Sequence, residues 1–132
     1  MIVVDASAVV AALTDRGQIG RWAEPLVFGD AVAAPHVLPV EVASALRGLV
    51  ANARLTGDAA ALAHHDLLDL PVDLLPYDAV AERVWELRQN VSPYDAWYVA
   101  IAELLDAPLA TVDDRLASAP GLRCEVLTPG RA

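Results

Sequence analysis

Four carboxylates stand where their neighbours give no ordinary reason for an acid. Asp5 follows Ile2-Val3-Val4, three β-branched residues in a row. Asp113 follows Leu109-Ala110-Thr111-Val112, and Asp95 precedes seven uncharged residues, Ala96 to Ala102. Glu41 lies early in a helical stretch that begins near Pro39. Four converging carboxylates would repel one another and could not all stay ionised without a cation. Oxygen donors without a cysteine or a usable histidine cluster suit Mg²⁺ or Mn²⁺ rather than zinc. The chemistry such a site supports is metal-assisted hydrolysis of a phosphodiester, in which the ion activates water and neutralises the leaving oxygen. Ser7 lies two residues after Asp5 and Thr111 two residues before Asp113, each placed to orient a carboxylate or a metal-bound water.

Three of the four acids also have a plainer reading. Asp5 can end a strand and cap the following helix. Glu41 falls about 60° from Leu38 on a helical wheel, at the margin of an apolar stripe, and can complement the helix dipole. Asp95 can close a capping box with Ser92, although Glu or Gln is the usual partner there. Yet Val99 and Ala102 lie within about 40° of Asp95, so its carboxylate follows the face of an otherwise buried helix. An unpaired carboxylate in such a place costs on the order of several kcal/mol unless a cation or donors meet it.

The elements that must position these acids are legible from periodicity and punctuation. An uninterrupted β-branched run reads as a strand buried on both faces, as in a parallel sheet. Further strands are expected at Ala31–Ala34, Val72–Leu75, Pro108–Val112 and Cys124–Leu127. Helices are expected at Ala8–Leu13, Gln18–Phe28 (interrupted by Pro25), Pro39–Arg54, Thr56–Leu70, Asp78–Gln89, from Ser92 through Ala102, and at Arg115–Ser118. The core stripe of the third helix is Leu38, Val42, Ala45, Leu46, Leu49 and Ala53, with Arg47 opposite. Glu82, Arg83, Glu86 and Arg88 read as a solvated face. His64 and His65 are adjacent on a helix and point to different sides, so they cannot share a ligand. Helices separate every pair of strands, which implies parallel pairing through helical crossovers and a three-layer α/β/α sandwich. In a doubly wound sheet the first and fourth strands are neighbours at the switch point, which puts Asp5 and Asp113 in one crevice.

Composition narrows the chemistry. The 132 residues suit one domain, 1–132, with a core of its own. One cysteine, Cys124, allows no internal disulfide, and a reduced, cytoplasmic setting is the simplest reading. Neither a signal peptide nor a membrane span is expected. All nine basic residues are arginine, so there is no lysine for a P-loop. The net charge of −9 makes a poor general binder of nucleic acid, leaving only a local site, a metal or a few arginines for that purpose. Some 56% of the residues are apolar, above the ~45–50% usual for a globular domain, which suggests surface covered by a partner chain.

At these residues the sequence resembles the PIN-domain ribonucleases, specifically the VapC-type toxins of bacterial toxin–antitoxin pairs. The points of likeness are Val4-Asp5-Ala6-Ser7, Pro35-His36 leading to Glu41 and Ala45-Leu46-Arg47, Ser92-x-Tyr94-Asp95-Ala96-x-Tyr98-Val99-Ala100, and Pro108-Leu109-x-Thr111-x-Asp113 with Leu116 following. The resemblance implies a PIN-like fold with a parallel five-stranded sheet. It also implies an acidic Mg²⁺ or Mn²⁺ site of Asp5, Glu41, Asp95 and Asp113, with Asp114 an optional outer ligand or a surface acid. It further implies endonucleolytic cleavage of RNA, a homodimer, and a cognate VapB-type antitoxin that masks the site. Arg16, Arg88 and Arg115 are the arginines considered for RNA contact, and His36 reads as a packing or hydrogen-bonding residue where its helix begins. Two other readings stay open: an aspartyl-nucleophile phosphatase, which would need an acid where Ser7 stands, and a non-catalytic α/β interaction module.

Overall fold

The computed structural model describes residues 1–130; Arg131 and Ala132, the end of the domain expected over 1–132, lie outside the described residues. Five parallel strands form one sheet in the order β3-β2-β1-β4-β5. They are β1 (Ile2–Val4), β2 (Val32–Pro35), β3 (Val72–Leu75), β4 (Leu109–Ala110) and β5 (Val126–Leu127). Seven helices lie among the described residues: α1 (Ala6–Thr14), α2 (Gln18–Val27), α3 (Leu38–Ala51), α4 (Gly57–Leu68), α5 (Ala81–Glu86), α6 (Pro93–Leu104) and α7 (Asp114–Ala117). The chain therefore builds outward from β1 in one direction, then returns to add β4 and β5 on its other side. The switch point falls between β1 and β4, where Val3 pairs with Leu109 and Val4 with Ala110.

The core follows the expected pattern. Val3 and Val4 are fully buried in the central strand. Helix α6 packs across β1, β2 and β4, and buries Ala96 and every residue from Tyr98 to Ala102. Its start is set by Ser92, whose hydroxyl accepts the Asp95 amide at 3.2 Å, with Pro93 in the first turn. Thr56 caps α4 in the same way, accepting the Ala59 amide at 3.1 Å. Helices α1 and α2 approach closely at Gly20, where a Cβ would lie 1.8 Å from the Asp15 carbonyl oxygen.

Several boundaries differ from expectation, each for a local reason. Helix α1 begins two residues early, because Asp5 caps it directly. The fourth strand stops at Ala110: Thr111 still donates to the Leu127 carbonyl, but the Val112 and Asp113 amides turn to the hydroxyls of Ser7 and Thr111. The fifth strand starts late, at Val126, because the Arg123 amide is drawn to the Glu103 carboxylate at 2.8 Å. Helix α5 covers only Ala81–Glu86 of the helix expected over Asp78–Gln89. In α3 only Leu38, Val42 and Leu46 of the expected stripe are buried. Ala45 is exposed, Leu49 half-buried, and Ala53 lies past the helix end at φ 57°. The expected solvated face on α5 is also corrected. Arg83 turns inward and forms an ion pair with Glu103 at 2.7 Å, the two side chains only 18% and 12% exposed. Among the described residues no helix is long and apolar enough to cross a membrane.

Candidate active site

The parallel sheet brings Asp5 and Asp113 to the same edge, just beyond the carboxyl ends of neighbouring strands. Asp5 is 8% exposed and its carboxylate is bonded on both oxygens. Oδ1 accepts the Ser7 hydroxyl at 2.6 Å and the Ala8 amide at 3.1 Å; Oδ2 accepts the Thr111 hydroxyl at 2.5 Å. Each hydroxyl in turn accepts an amide, Ser7 from Val112 at 3.0 Å and Thr111 from Asp113 at 3.1 Å. The two amides supply the protons on that side, so both hydroxyl protons point at Asp5. This chain of bonds fastens the end of β1 to the loop carrying Asp113. Asp5 thus caps α1 and belongs to a buried polar network at once. Position 7, where an aspartyl phosphatase would need an acid, is a hydroxyl donating to Asp5.

Asp95 enters from the first turn of α6 and Glu41 from the first turn of α3. Burial raises the pKa of Asp5, Glu41 and Asp95 above the usual carboxylate range. The charge of Asp95 adds to the shift of Asp5, those of Asp95 and Asp5 to that of Glu41, and that of Asp113 to that of Asp95. Asp113 behaves oppositely, its pKa lowered first by hydrogen bonding to Arg115. The four acids are therefore one electrostatic group, running from Glu41 through Asp5 and Asp95 to Asp113.

Glu41 Oε1 and the Tyr98 hydroxyl are both buried with no hydrogen bond of good geometry, but the two interact, and Tyr98 offsets part of the rise that burial gives Glu41. Burial, and then the Glu41 carboxylate, push the tyrosine pKa far above its ordinary range. Tyr98 is a point of family likeness in the sequence but is given no role in the site there. The signal lies in its spacing: three residues after Asp95, it puts a polar tip on the same side of an otherwise apolar helix.

Whether these residues suit a divalent ion can be judged from the donors themselves. All four are hard oxygen ligands, and Glu41 offers a buried carboxylate oxygen that makes no hydrogen bond of good geometry. Mutual repulsion of Asp5, Glu41 and Asp95 is what a cation would relieve. Among the described residues, however, no three Asp, Glu, His or Cys side chains stand close enough together to grip an ion as they are. The set fits Mg²⁺ or Mn²⁺ in chemistry, with direct coordination requiring side chains to move or waters to bridge.

Other residues weighed from the sequence lie elsewhere or act differently. Asp114 is exposed beside Gly130. His36 is exposed, and its backbone amide extends the ladder to β3 by donating to the Leu75 carbonyl. His64 and His65 are exposed, with His65 3.9 Å from both Asp66 and Asp69. Arg88 stacks on Trp85 at 4.5 Å, and Arg16 lends its carbonyl to Arg21. Of the three arginines, Arg115 alone reaches the acids, bonding Asp113.

Comparison with known proteins agrees with this architecture. A family model described as PIN domain matches residues 2–122. Ribonuclease VapC1 of Mycobacterium tuberculosis is 43% identical over 125 residues, 94% of either chain. Among solved structures, FitAcB from Neisseria gonorrhoeae superposes with a TM-score of 0.70 at 19% identity, covering 100% of both chains. A toxin–antitoxin complex from Klebsiella pneumoniae superposes at 0.62 with 21% identity, covering 98% of both chains. At such identities these structures speak to the fold. Family membership rests on the PIN model and on the sequence identity to VapC1, and by both the chain belongs to the PIN-domain family, among its VapC ribonuclease toxins.

Proposed function

We propose that this chain is a metal-dependent endoribonuclease, the toxin of a VapBC-type pair, and that Asp5, Glu41, Asp95 and Asp113 hold Mg²⁺ or Mn²⁺. The observation that carries the reading is the coupled group of four acids, its centre locked by two hydroxyl protons aimed at Asp5. When bound, the ion supplies an activated water and neutralises the leaving oxygen of a phosphodiester. The protein's own part is to fix the donors before the ion arrives. Ser7 and Thr111 hold Asp5 in one orientation, and the same hydroxyls hold the amides of Val112 and Asp113. Asp95 is presented by a helix whose start is set by Ser92. Glu41 brings a buried carboxylate that interacts with the Tyr98 hydroxyl and feels the charges of Asp5 and Asp95. Its cytoplasmic substrate, RNA, would meet Arg115 first, since no other arginine bonds one of the four acids among the described residues.

A VapB-type antitoxin is the partner this reading requires, and one surface suits it. A groove of about 510 Å³ is lined by Val10, Ala11, Ile19, Ala45, Leu49 and Leu55 and reaches Ser7 and Val112. A chain seated there would cover apolar surface and end at the residues bonded to Asp5. Exposed Phe28, Leu62, Leu68 and Trp85 leave further apolar surface for a second copy, as a homodimer would need.

The test is cleavage of total RNA by the purified, antitoxin-free chain. Cleavage should require Mg²⁺ or Mn²⁺ and stop with a chelator. D5N and D95N should each lower the rate about a hundredfold or more, in keeping with the loss of a positioned charged group. Undiminished cleavage by both variants, or cleavage indifferent to chelator, would contradict the proposal.

A further inference from the structure

Among the described residues, Arg115 is the only cation forming an ion pair with any of the four acids; Arg83 serves Glu86 and Glu103, and His65 lies beside Asp66 and Asp69. Its grip on Asp113 engages both carboxylate oxygens. Oδ1 accepts the Arg115 amide at 2.9 Å and Nε at 3.2 Å, and Oδ2 accepts Nη2 at 3.4 Å. The Arg115 side chain is 93% exposed, and its guanidinium has no other hydrogen-bond partner among the described residues. Among the described residues its guanidinium is held by Asp113, with a weaker charge attraction to Asp95. A divalent ion drawing on Asp113 would compete with the guanidinium for the same carboxylate charge, and the two cations would repel.

We propose that Arg115 is a built-in competitor of the metal: it occupies Asp113 in the metal-free protein and is displaced when a divalent ion binds. This rests on the reading of the four acids as a metal site. Arg115 is then a positioning residue acting through Asp113. It keeps that carboxylate paired and aimed in the empty protein, and it weakens the hold on the ion. The competition is modest because the pair is solvent-exposed. Exposed ion pairs are weak, so releasing this one should tighten metal binding only about two- to fivefold.

The experiment is calorimetric titration of the full-length chain with Mn²⁺ alone. R115Q should bind Mn²⁺ about two- to fivefold more tightly than the unaltered protein, and R115K should fall between them because an ammonium cannot bridge both oxygens. In a D113N background most of the R115Q effect should vanish, since the contested carboxylate is gone and only a weaker attraction to Asp95 remains. A merely structural arginine would give the opposite sign, its loss leaving affinity unchanged or lower. Unchanged or weaker binding by R115Q, with its melting temperature preserved, would overturn the proposal. So would an undiminished gain in D113N, which would mark simple charge repulsion. Failure of the underlying reading looks different: the unaltered chain would bind no Mn²⁺, or D95N would bind it equally well.

Discussion

At the scale of single residues, the site depends on hydroxyls as much as on acids. Thr111 is fully buried, and its one oxygen both donates to Asp5 and accepts from the Asp113 amide. Valine has nearly the same shape without the oxygen. T111V should therefore leave a buried amide without its acceptor and remove a donor from a buried carboxylate, at about 1–3 kcal/mol of stability. Loosening of Asp5 should also weaken Mn²⁺ binding roughly tenfold, as loss of a group supporting a metal ligand commonly does. Denaturant melts and Mn²⁺ titration check both, and a variant matching the unaltered protein in each would show that the network is ornamental. The acids and these hydroxyls were legible in the sequence because Asp5 and Asp113 end apolar strands, Glu41 and Asp95 begin helices with apolar faces, and each hydroxyl lies two residues from an acid. Tyr98 and the grip of Arg115 on Asp113 were not, because they depend on side-chain direction, which spacing alone leaves open.

At the scale of elements, the site is held by strand ends and helix starts, and the far end of α6 is held by a separate device. Arg83 on α5 clasps Glu103 on α6 through two nitrogens, at 2.7 and 3.1 Å, and donates to the Gly121 carbonyl at 2.7 Å. Glu103 also accepts the Arg123 amide, so one carboxylate ties α5 and α6 to the loop leading into β5. R83Q would leave that carboxylate largely buried without its cation. It should cost about 2–3 kcal/mol, somewhat less than a fully buried pair, measured by urea unfolding. RNA cleavage per folded molecule should stay unchanged, since Arg83 bonds none of the four acids; a selective loss of activity would mean the clasp sets the position of Asp95. Periodicity located the helices and strands, and capping residues located the starts of α4 and α6. It could not reveal a pairing between side chains twenty residues apart. It also overextended the fourth and fifth strands: the Val112 amide is claimed by the Ser7 hydroxyl, and the loop just before the fifth is held by Glu103 through the Arg123 amide.

At the scale of the whole molecule, sequence logic reached the architecture because the crossovers leave little choice. Helices between all strands dictate parallel pairing, and a first strand buried on both faces belongs at the centre. The order β3-β2-β1-β4-β5 then results once the fourth strand returns to the free side of the first. The consequence for function is electrostatic. A chain of net charge −9 without lysine repels RNA over most of its surface, so productive approach depends on a local reversal of sign at the acids. A divalent ion bound by Asp5, Glu41, Asp95 and Asp113 would supply that reversal. Anomalous diffraction from crystals of the antitoxin-free chain grown with Mn²⁺ tests this directly. The expected result is a manganese peak among those four carboxylates, within coordination distance of Asp5 or Asp95, and with Arg115 withdrawn from Asp113. Manganese bound only elsewhere, with Asp5 and Asp95 still unliganded at full occupancy of the other sites, would contradict it.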